Sequence, residues 1–182
     1  MSMPAYADVR DRLETVSYDL IINVPAADAW AKLRDLTQAH NYVPDVTRTE
    51  ITTDLREGVG AARKVYLSDN PDGLDETVVE WRDGEGFTIR VHKGEERAIP
   101  IFDHFFFQYA IEEAGTQTVF KPAIKFLPRF GPIGKVLSAL VLKRAFGTTL
   151  SVIAQSLKEY YETGEPTPQE RRKAIRKEIT GK

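Results

Sequence analysis

The sequence predicts an α+β fold in which a curved antiparallel sheet wraps around one long C-terminal helix. Alternating apolar residues between Leu13 and Asn23 indicate a first strand with one buried face. About six further strand-like segments follow, and the short turns between them permit only antiparallel pairing. From Pro132 to about Tyr161, apolar residues recur at steps of three and four, which is typical of a long amphipathic helix.

Two short helices are predicted directly after the first strand. Pro25 suits the first turn of a helix, and Asp28 suits the positive end of the helix dipole. Trp30 lies on the apolar face of this segment. The second helix is predicted near Leu36 to His40 and must end before Pro44, because the residue preceding a proline disfavours the α conformation.

The middle of the chain predicts strands joined in hairpins. Turn signals occur at Gly58–Gly60, Asn70–Gly73, Asp83–Gly86 and Glu112–Gly115. They separate strands expected over residues 46–54, 61–68, 76–82, 87–92, 103–111 and 117–126. Only the long helix is large enough to cover one face of such a sheet, and a twisted sheet leaves space beneath a helix unless large side chains fill it.

Composition restricts the classes of function. The 182 residues are 42% hydrophobic and 29% charged, which is ordinary for one globular domain. The net charge of −2 provides no basic field, so nucleic acid is not expected as a partner. The absence of cysteine excludes disulfides and cysteine-based zinc sites. Residues 1–14 lack the apolar run of a signal peptide and no apolar stretch reaches about 18 residues, which predicts a cytoplasmic protein without a transmembrane segment.

The last part of the chain differs in composition from the rest. Residues 1–164 are predicted to form one domain that contains the sheet and the long helix, and residues 165–182 a charged tail. Thr167-Pro168-Gln169-Glu170 fits a capping box that would begin a helix. Six basic and three acidic side chains give the tail a charge of +3. Weak contact with an anionic membrane surface or a partner is one interpretation, and a solvated tail is the other.

Several local patterns occur in a characteristic order along the chain. They are Val24-Pro25 with Trp30 and Leu33, Pro44 after the second helix, Gly58-Val59-Gly60 with Arg63, Glu80-Trp81 before a hairpin, and the stretch from Gly115 to Phe126 that leads into the long helix. Together they resemble the helix-grip superfamily, which includes START lipid-transfer domains, the birch-pollen-allergen family and the bacterial polyketide cyclase/dehydrase family. The resemblance runs from about Leu13 to Tyr161, and the tail has no counterpart in it.

The resemblance implies a ligand cavity between sheet and helix. Members of these families bind lipids, sterols, quinones, polyketides or plant hormones, and the aromatase/cyclases are thought to steer polyketide folding with polar groups in the pocket. The families share no catalytic signature, so the catalytic residues remain unassigned. The pocket candidates in this chain are Trp30, Tyr42, Arg63, Val65, Leu67, Phe87, Ile89, Val91, Phe105, Phe107, Tyr109, Phe120, Ile124 and Gly147.

Arg63 is the most informative polar candidate, because it shares strand parity with Val65 and Leu67. A buried arginine must be paired or must meet a ligand. Arg63 would either anchor a carboxylate or ketone of a ligand, or form an ion pair with Glu76 or Glu80. Tyr42 and Tyr109 are candidates for orienting hydroxyls, whereas Tyr66 has the parity opposite to Arg63.

Other candidate groups are weaker. None of the three histidines, His40, His92 and His104, has a partner at metal-ligand spacing, so no metal and no cofactor is predicted. Gly147 interrupts the long helix, which indicates either room for a ligand beneath it or close approach of a strand.

Three hypotheses follow from these observations. The first is a protein that binds or carries a hydrophobic small molecule. The second is a cyclase-, aromatase- or dehydratase-like enzyme, in which Arg63 and the pocket tyrosines would contact the substrate. The third is an interaction module with a filled core that acts through its tail. The sequence does not determine the oligomeric state.

Overall fold

The computed structural model describes residues 6–129 and 141–181. Its helices are α1 (Tyr6–Val9), α2 (Ala26–Leu33), α3 (Lys143–Thr163) and α4 (Gln169–Thr180), with 3-10 helices at Arg10–Arg12 and Leu36–Asn41. Its strands are β1 (Glu14–Ser17), β2 (Leu20–Ile22), β3 (Val46–Ile51), β4 (Ala62–Leu67), β5 (Asn70–Arg82), β6 (Gly86–Lys93), β7 (Glu96–Arg97), β8 (Phe102–Ala114), β9 (Gln117–Phe120) and β10 (Ala123–Pro128).

The ten strands form one antiparallel sheet. The main path runs β1-β10-β8-β6-β5-β4-β3, while β9 joins β2 to β8 and the short β7 pairs with β6. The long helix α3 packs against β1, β2 and β10. The predicted α+β helix-grip fold, with two short helices after the first strand, is therefore confirmed. None of the described helices is long and apolar enough to cross a membrane.

Two groups of buried residues fill the space between the elements. The main cluster joins the inner face of the sheet to the apolar face of α3, which contributes Leu150, Ile153, Leu157 and Tyr161. Alternation in the first strand is confirmed, since Ile22 is fully buried there and Val16, Tyr18 and Leu20 pack against the same cluster. A second, smaller cluster of Ala39, Val46 and Val65 lies under the Leu36–Asn41 helix.

The turn predicted at Asn70–Gly73 is wrong by a few residues. The chain turns at Ser68 and Asp69, and Asn70 already pairs with Leu67 at the start of β5. Gly73 keeps a positive φ of 71° inside the strand, where a Cβ would meet the carbonyl oxygen of Val65 at 2.8 Å. The glycine therefore permits close approach of two strands at an irregular pairing between β4 and β5.

Helix α3 covers the C-terminal part of the predicted long helix. The part of the predicted helix between Pro132 and Leu140 lies outside the described residues. At the other end α3 stops as predicted at Gly164, which has φ 82° and donates its N–H to the carbonyl of Tyr160.

The tail forms the predicted helix α4, but the expected capping box is wrong. Pro168 occupies the N-cap position and lacks a side-chain acceptor. The Thr167 hydroxyl instead donates to the carbonyl oxygen of Ser156 at 2.7 Å. The tail is also docked and not solvated, because Thr167, Arg172 and Ile175 are buried.

Candidate ligand-binding site

A buried ion pair lies on the inner face of the sheet. Arg63 on β4 is 2% exposed, and its Nε donates to Oε2 of Glu76 on β5 at 2.6 Å. Its Nη1 donates to the main-chain carbonyl of Leu36 at 2.8 Å. Burial lowers the pKa of Arg63, but the charge and hydrogen bond of Glu76, together with Tyr109 and Tyr42, outweigh burial and raise it. The ion-pair interpretation of Arg63 is confirmed, and the guanidinium charge is locally neutralised.

Three tyrosines are buried in the same core as this ion pair. Tyr42, Tyr109 and Tyr161 are 3%, 2% and 3% exposed. The rings of Tyr42 and Tyr109 meet edge to face with centroids 6.3 Å apart. Burial raises the pKa of all three hydroxyls, so they stay protonated at neutral pH and retain a proton to donate.

The hydroxyl of Tyr161 is distinctive because it is buried without a hydrogen-bond partner in the part of the chain that the structure describes. Tyr161 comes from α3, whereas Tyr42 follows a 3-10 helix and Tyr109 lies on β8. Three different elements therefore direct phenol groups into one buried region. The ring of Tyr160 links two of them, since its centroid lies 6.4 Å from that of Tyr42 and 5.5 Å from that of Tyr161.

Aromatic rings extend from the tyrosines towards the turn that joins β5 to β6. Phe87 lies 5.1 Å from Tyr109 and 5.5 Å from Trp81, measured between ring centroids. Trp81 meets Trp30 edge to face at 5.2 Å. Trp30 Nε1 donates to Oδ1 of Asp83 at 3.3 Å, which ties α2 to the hairpin turn. This row gives the region an apolar wall.

A second aromatic group lies beside the beginning of α3. Phe146 on that helix packs within 6 Å of three rings on the sheet, with centroid distances of 5.9 Å to Phe102, 5.7 Å to Phe105 and 5.2 Å to Phe126. The inner face thus carries aromatic side chains on both sides of the tyrosine region. Such rings pack around any flat or extended apolar molecule.

The structure brings most of the predicted pocket residues together. The main cluster contains Trp30, Tyr42, Phe87, Ile89, Phe107, Tyr109, Phe120 and Ile124, with Phe105 packed against it. Val65 and Leu67 lie in the second cluster instead. Val91 is half-buried beside a shallow groove near His104. That these residues line a ligand pocket stays a prediction.

Gly147 has open space around it. A Cβ added there would meet nothing within 4 Å apart from its own helix and neighbours. Close approach of a strand is therefore the wrong explanation for this glycine. Room for a ligand beneath the helix stays a prediction, because the half-buried Gly147 also borders solvent.

Sequence reasoning missed Tyr161 and Trp81 as candidates. Tyr161 was visible only as one member of the apolar period of the long helix. The parity of Trp81 is obscured by a register shift between Val78 and Glu80. A bulge reverses which side chains face inward, and a single sequence does not reveal it.

His92 and His104 lie on β6 and β8, whereas His40 lies two residues before Tyr42 in the Leu36–Asn41 helix. His92 Nε2 is 2.9 Å from the Thr77 hydroxyl, and His104 is half-buried with its pKa lowered first by burial and then by Arg90. The Nδ1 atom of His40 is buried without a partner among the described residues. Within residues 6–129 and 141–181, no three His, Asp or Glu side chains group as metal ligands.

Fold and core together define a helix-grip α+β protein with a polar centre inside an aromatic shell. Residues 14–162 match the model of the family described as polyketide cyclase / dehydrase and lipid transport, and the chain belongs to that family. No curated protein matches the chain.

Solved structures share this fold at low sequence identity. The crystal structure of Ara h 8.0201 has a TM-score of 0.58 at 16% identity, covering 82% of this chain and 97% of that one. A Thermus thermophilus protein has a TM-score of 0.60 at 16% identity, with coverages of 81% and 97%. A Thalictrum flavum norcoclaurine synthase, solved as a point mutant with a transition-state analogue, has a TM-score of 0.59 at 13% identity, with coverages of 82% and 94%.

Proposed function

We propose that this chain binds or carries a hydrophobic small molecule, of a lipid, quinone, sterol or polyketide-like kind, between the inner face of the sheet and α3. We further propose that the ligand presents a neutral oxygen to the buried tyrosines. One observation carries this proposal: the hydroxyl of Tyr161 is buried in an aromatic core without a partner among the described residues. The family description, which includes lipid transport, agrees with it.

An unsatisfied buried hydroxyl is energetically unfavourable. Leaving such a group without a hydrogen bond costs roughly 1–3 kcal/mol. A ligand oxygen that accepts from Tyr161 removes this cost, whereas a pure hydrocarbon leaves it in place. Ligands with a carbonyl, quinone or hydroxyl oxygen are therefore favoured over hydrocarbons of equal size.

The charges at the site favour a neutral oxygen over a carboxylate. Arg63 is already paired with Glu76 at 2.6 Å, so its positive charge is compensated within the protein. A ligand carboxylate beside Arg63 would have to compete with Glu76 for the guanidinium, and an unmatched buried charge is costly. Of the two ligand groups considered for Arg63, a carboxylate and a ketone, this argument favours the ketone.

The first experiment is native mass spectrometry of the protein as purified, followed by identification of any molecule released on denaturation. A co-purified apolar compound with a neutral oxygen is expected. A released fatty acid or pure hydrocarbon would contradict the proposal that the ligand presents a neutral oxygen, while leaving the binding function intact.

The second experiment compares three probes of similar size by fluorescence titration: 2-acetylnaphthalene, 2-ethylnaphthalene and 2-naphthoate. We expect the ketone to bind most tightly, and Tyr161→Phe to weaken the ketone about tenfold without changing the hydrocarbon. Absence of binding by any of the three, together with a ligand-free mass, would argue against the binding function itself.

A second candidate function is a cyclase- or dehydratase-like enzyme. It is supported by the burial of Arg63 together with the adjacent Tyr42 and Tyr109, because donors directed at one carbonyl also stabilise negative charge that develops on its oxygen. Once a substrate is identified, Tyr109→Phe is expected to lower kcat. Unchanged turnover in both Tyr109→Phe and Arg63→Ala would exclude this function.

A further inference from the structure

Helix α4 lies beyond the family match, which ends at residue 162. It nevertheless packs against α3 and against the segment between the Leu36–Asn41 helix and β3. We refer to residues 40–46, which run from the last turn of the Leu36–Asn41 helix to the first residue of β3, as the Tyr42 segment. This segment carries one of the three buried tyrosines, so a helix that is additional to the family core contacts part of the candidate site.

Three hydrogen bonds fix the start of α4 to the Tyr42 segment. The N–H of Thr167 donates to the carbonyl of Asn41 at 2.9 Å. The side-chain amide of Gln169 both donates to the carbonyl of Val46 at 2.9 Å and accepts from the N–H of Asp45 at 3.1 Å. Gln169 therefore pairs with the main chain of the segment as a neighbouring strand would.

Arg172 adds two stronger bonds. Its Nη2 donates to the carbonyl of His40 and its Nη1 to the carbonyl of Val43, each at 2.7 Å. These carbonyls flank Tyr42 on both sides. Arg172 is 3% exposed, and its Nε is buried without a partner among the described residues. Neither bond goes to a carboxylate, so a costly buried cation is used to hold main-chain atoms.

The Tyr42 segment needs such support to keep its shape. Asp45 has φ 64°, a left-handed conformation that costs of order 1 kcal/mol for a residue other than glycine. The ring of Tyr42 must stay edge to face with Tyr109 for both hydroxyls to remain in the same region. Loss of the carbonyl bonds would free the segment to relax and carry Tyr42 away.

We propose that α4 is a latch that positions Tyr42 in the candidate site, and that its release opens this end of the core for ligand exchange. The part that concerns the ligand rests on the proposed function. Arg172 is in this view a positioning residue, because it acts on the site through the main chain around Tyr42 and not through the ligand.

The neighbouring Arg171 provides a matched control. Its guanidinium donates to both carboxylate oxygens of Glu159 on α3 and to Glu178 on α4 itself. Arg171→Met therefore loosens α4 from α3, while Arg172→Met removes the two bonds from Arg172 to the Tyr42 segment and leaves those of Thr167 and Gln169. If α4 only added general stability, both variants would show the same change in hydrogen exchange in the Tyr42 segment.

The first test needs no ligand. Hydrogen exchange followed by mass spectrometry is expected to show faster exchange of the N–H groups of Tyr42 and Val43 in Arg172→Met, while Arg171→Met leaves them as in the wild type. Equal protection of residues 40–46 in wild type and Arg172→Met would overturn the latch. If Arg172→Met does not fold, Gln169→Ala takes its place, because it removes the bonds to Asp45 and Val46.

The second test uses 2-acetylnaphthalene as the probe. Arg172→Met is expected to bind it about tenfold more weakly, with faster dissociation, and Arg172→Lys to recover part of the loss through one ammonium. Equal affinities for wild type and Arg172→Met, or equal losses in Arg171→Met and Arg172→Met, would overturn the positioning role. If the wild type binds none of the three probes and is ligand-free by mass, the proposed function fails, and the exchange experiment still decides the latch.

Discussion

Arg63 and Glu76 stand directly opposite each other on β4 and β5 and form a buried ion pair, with Nε and Oε2 2.6 Å apart. Residues opposite each other on antiparallel strands point to the same face, so the register itself places these charges together. The pair adds no net charge to the region around the tyrosines. Its charge balance is the reason that we expect a neutral ligand oxygen there.

Glu76→Gln is expected to destabilise the fold strongly. It leaves the guanidinium of Arg63 buried without a counter-charge, and breaking a buried pair from one side costs about 3–5 kcal/mol. Urea unfolding monitored by circular dichroism measures the loss. The double variant Arg63→Met/Glu76→Leu should lose much less, because both charges are removed together. An equal loss in the two proteins would contradict this account.

The same variant is expected to change ligand preference. With Arg63 uncompensated, Glu76→Gln should bind 2-naphthoate in preference to 2-acetylnaphthalene, the reverse of the order expected for the wild type. Titration of folded Glu76→Gln protein with both probes checks the reversal. A retained preference for the ketone would show that Arg63 does not face the ligand.

Tyr161→Phe is expected to leave the free energy of unfolding within about 1 kcal/mol of the wild type, or to increase it. The variant removes a hydroxyl that is desolvated but unpaired, while the buried ring is kept. Chemical denaturation measures the change. A loss of more than about 2 kcal/mol would mean that the hydroxyl has a partner in the folded protein.

Gly147→Ala is expected to stabilise α3 by about 0.5–1 kcal/mol. Alanine has the higher helix propensity, and the added Cβ meets nothing within 4 Å. Gly164→Ala serves as the control, because its φ of 82° makes any Cβ there strained although space is also open. The midpoint temperature of thermal unfolding should therefore rise for Gly147→Ala and fall for Gly164→Ala.

Acid should weaken the 3-10 helix at Leu36–Asn41 through Asp35. Burial opposes the charge of Asp35, but hydrogen bonds from Thr37 and Gln38 outweigh it and lower its pKa below 3.8. The unfolded chain takes up the proton first as pH falls, so stability is present above pH 3.8 and is lost as pH falls through the folded pKa. Asp35→Asn should lack this part of the acid transition in urea unfolding at successive pH values. An identical pH profile in the two proteins would exclude Asp35 as a contributor.

Much of the architecture was predictable, because local chemistry decides it. Asp83–Gly86 and Glu112–Gly115 mark hairpins that exist, and Pro25 precedes a short helix as its chemistry predicts. The turn at Asn70–Gly73 was misplaced because those residues also suit an irregular strand pairing, and only the neighbouring strand decides between the two.

The candidate site was predictable only in part. Strand parity correctly placed Arg63 and Tyr109 on the inner face, and Tyr66 on the other, where its hydroxyl donates to Glu50. Parity also grouped Val65 and Leu67 with Arg63, but the Leu36–Asn41 helix covers that end of the sheet and collects them in the second cluster. Alternation tells which side a residue faces and not which element covers it.

The sequence by itself determined the antiparallel sheet, the long helix and the order of elements, since these depend on periodicity and turn chemistry within a few residues. The tertiary structure decided that Arg63 is neutralised by Glu76, that Tyr161 is left without a partner among the described residues, and that Arg172 holds the carbonyls of His40 and Val43. Arg172 lies 129 positions beyond Val43 in the chain. Burial fixes which of these distant groups meet, because a buried polar group must find its partner among whatever the fold packs beside it.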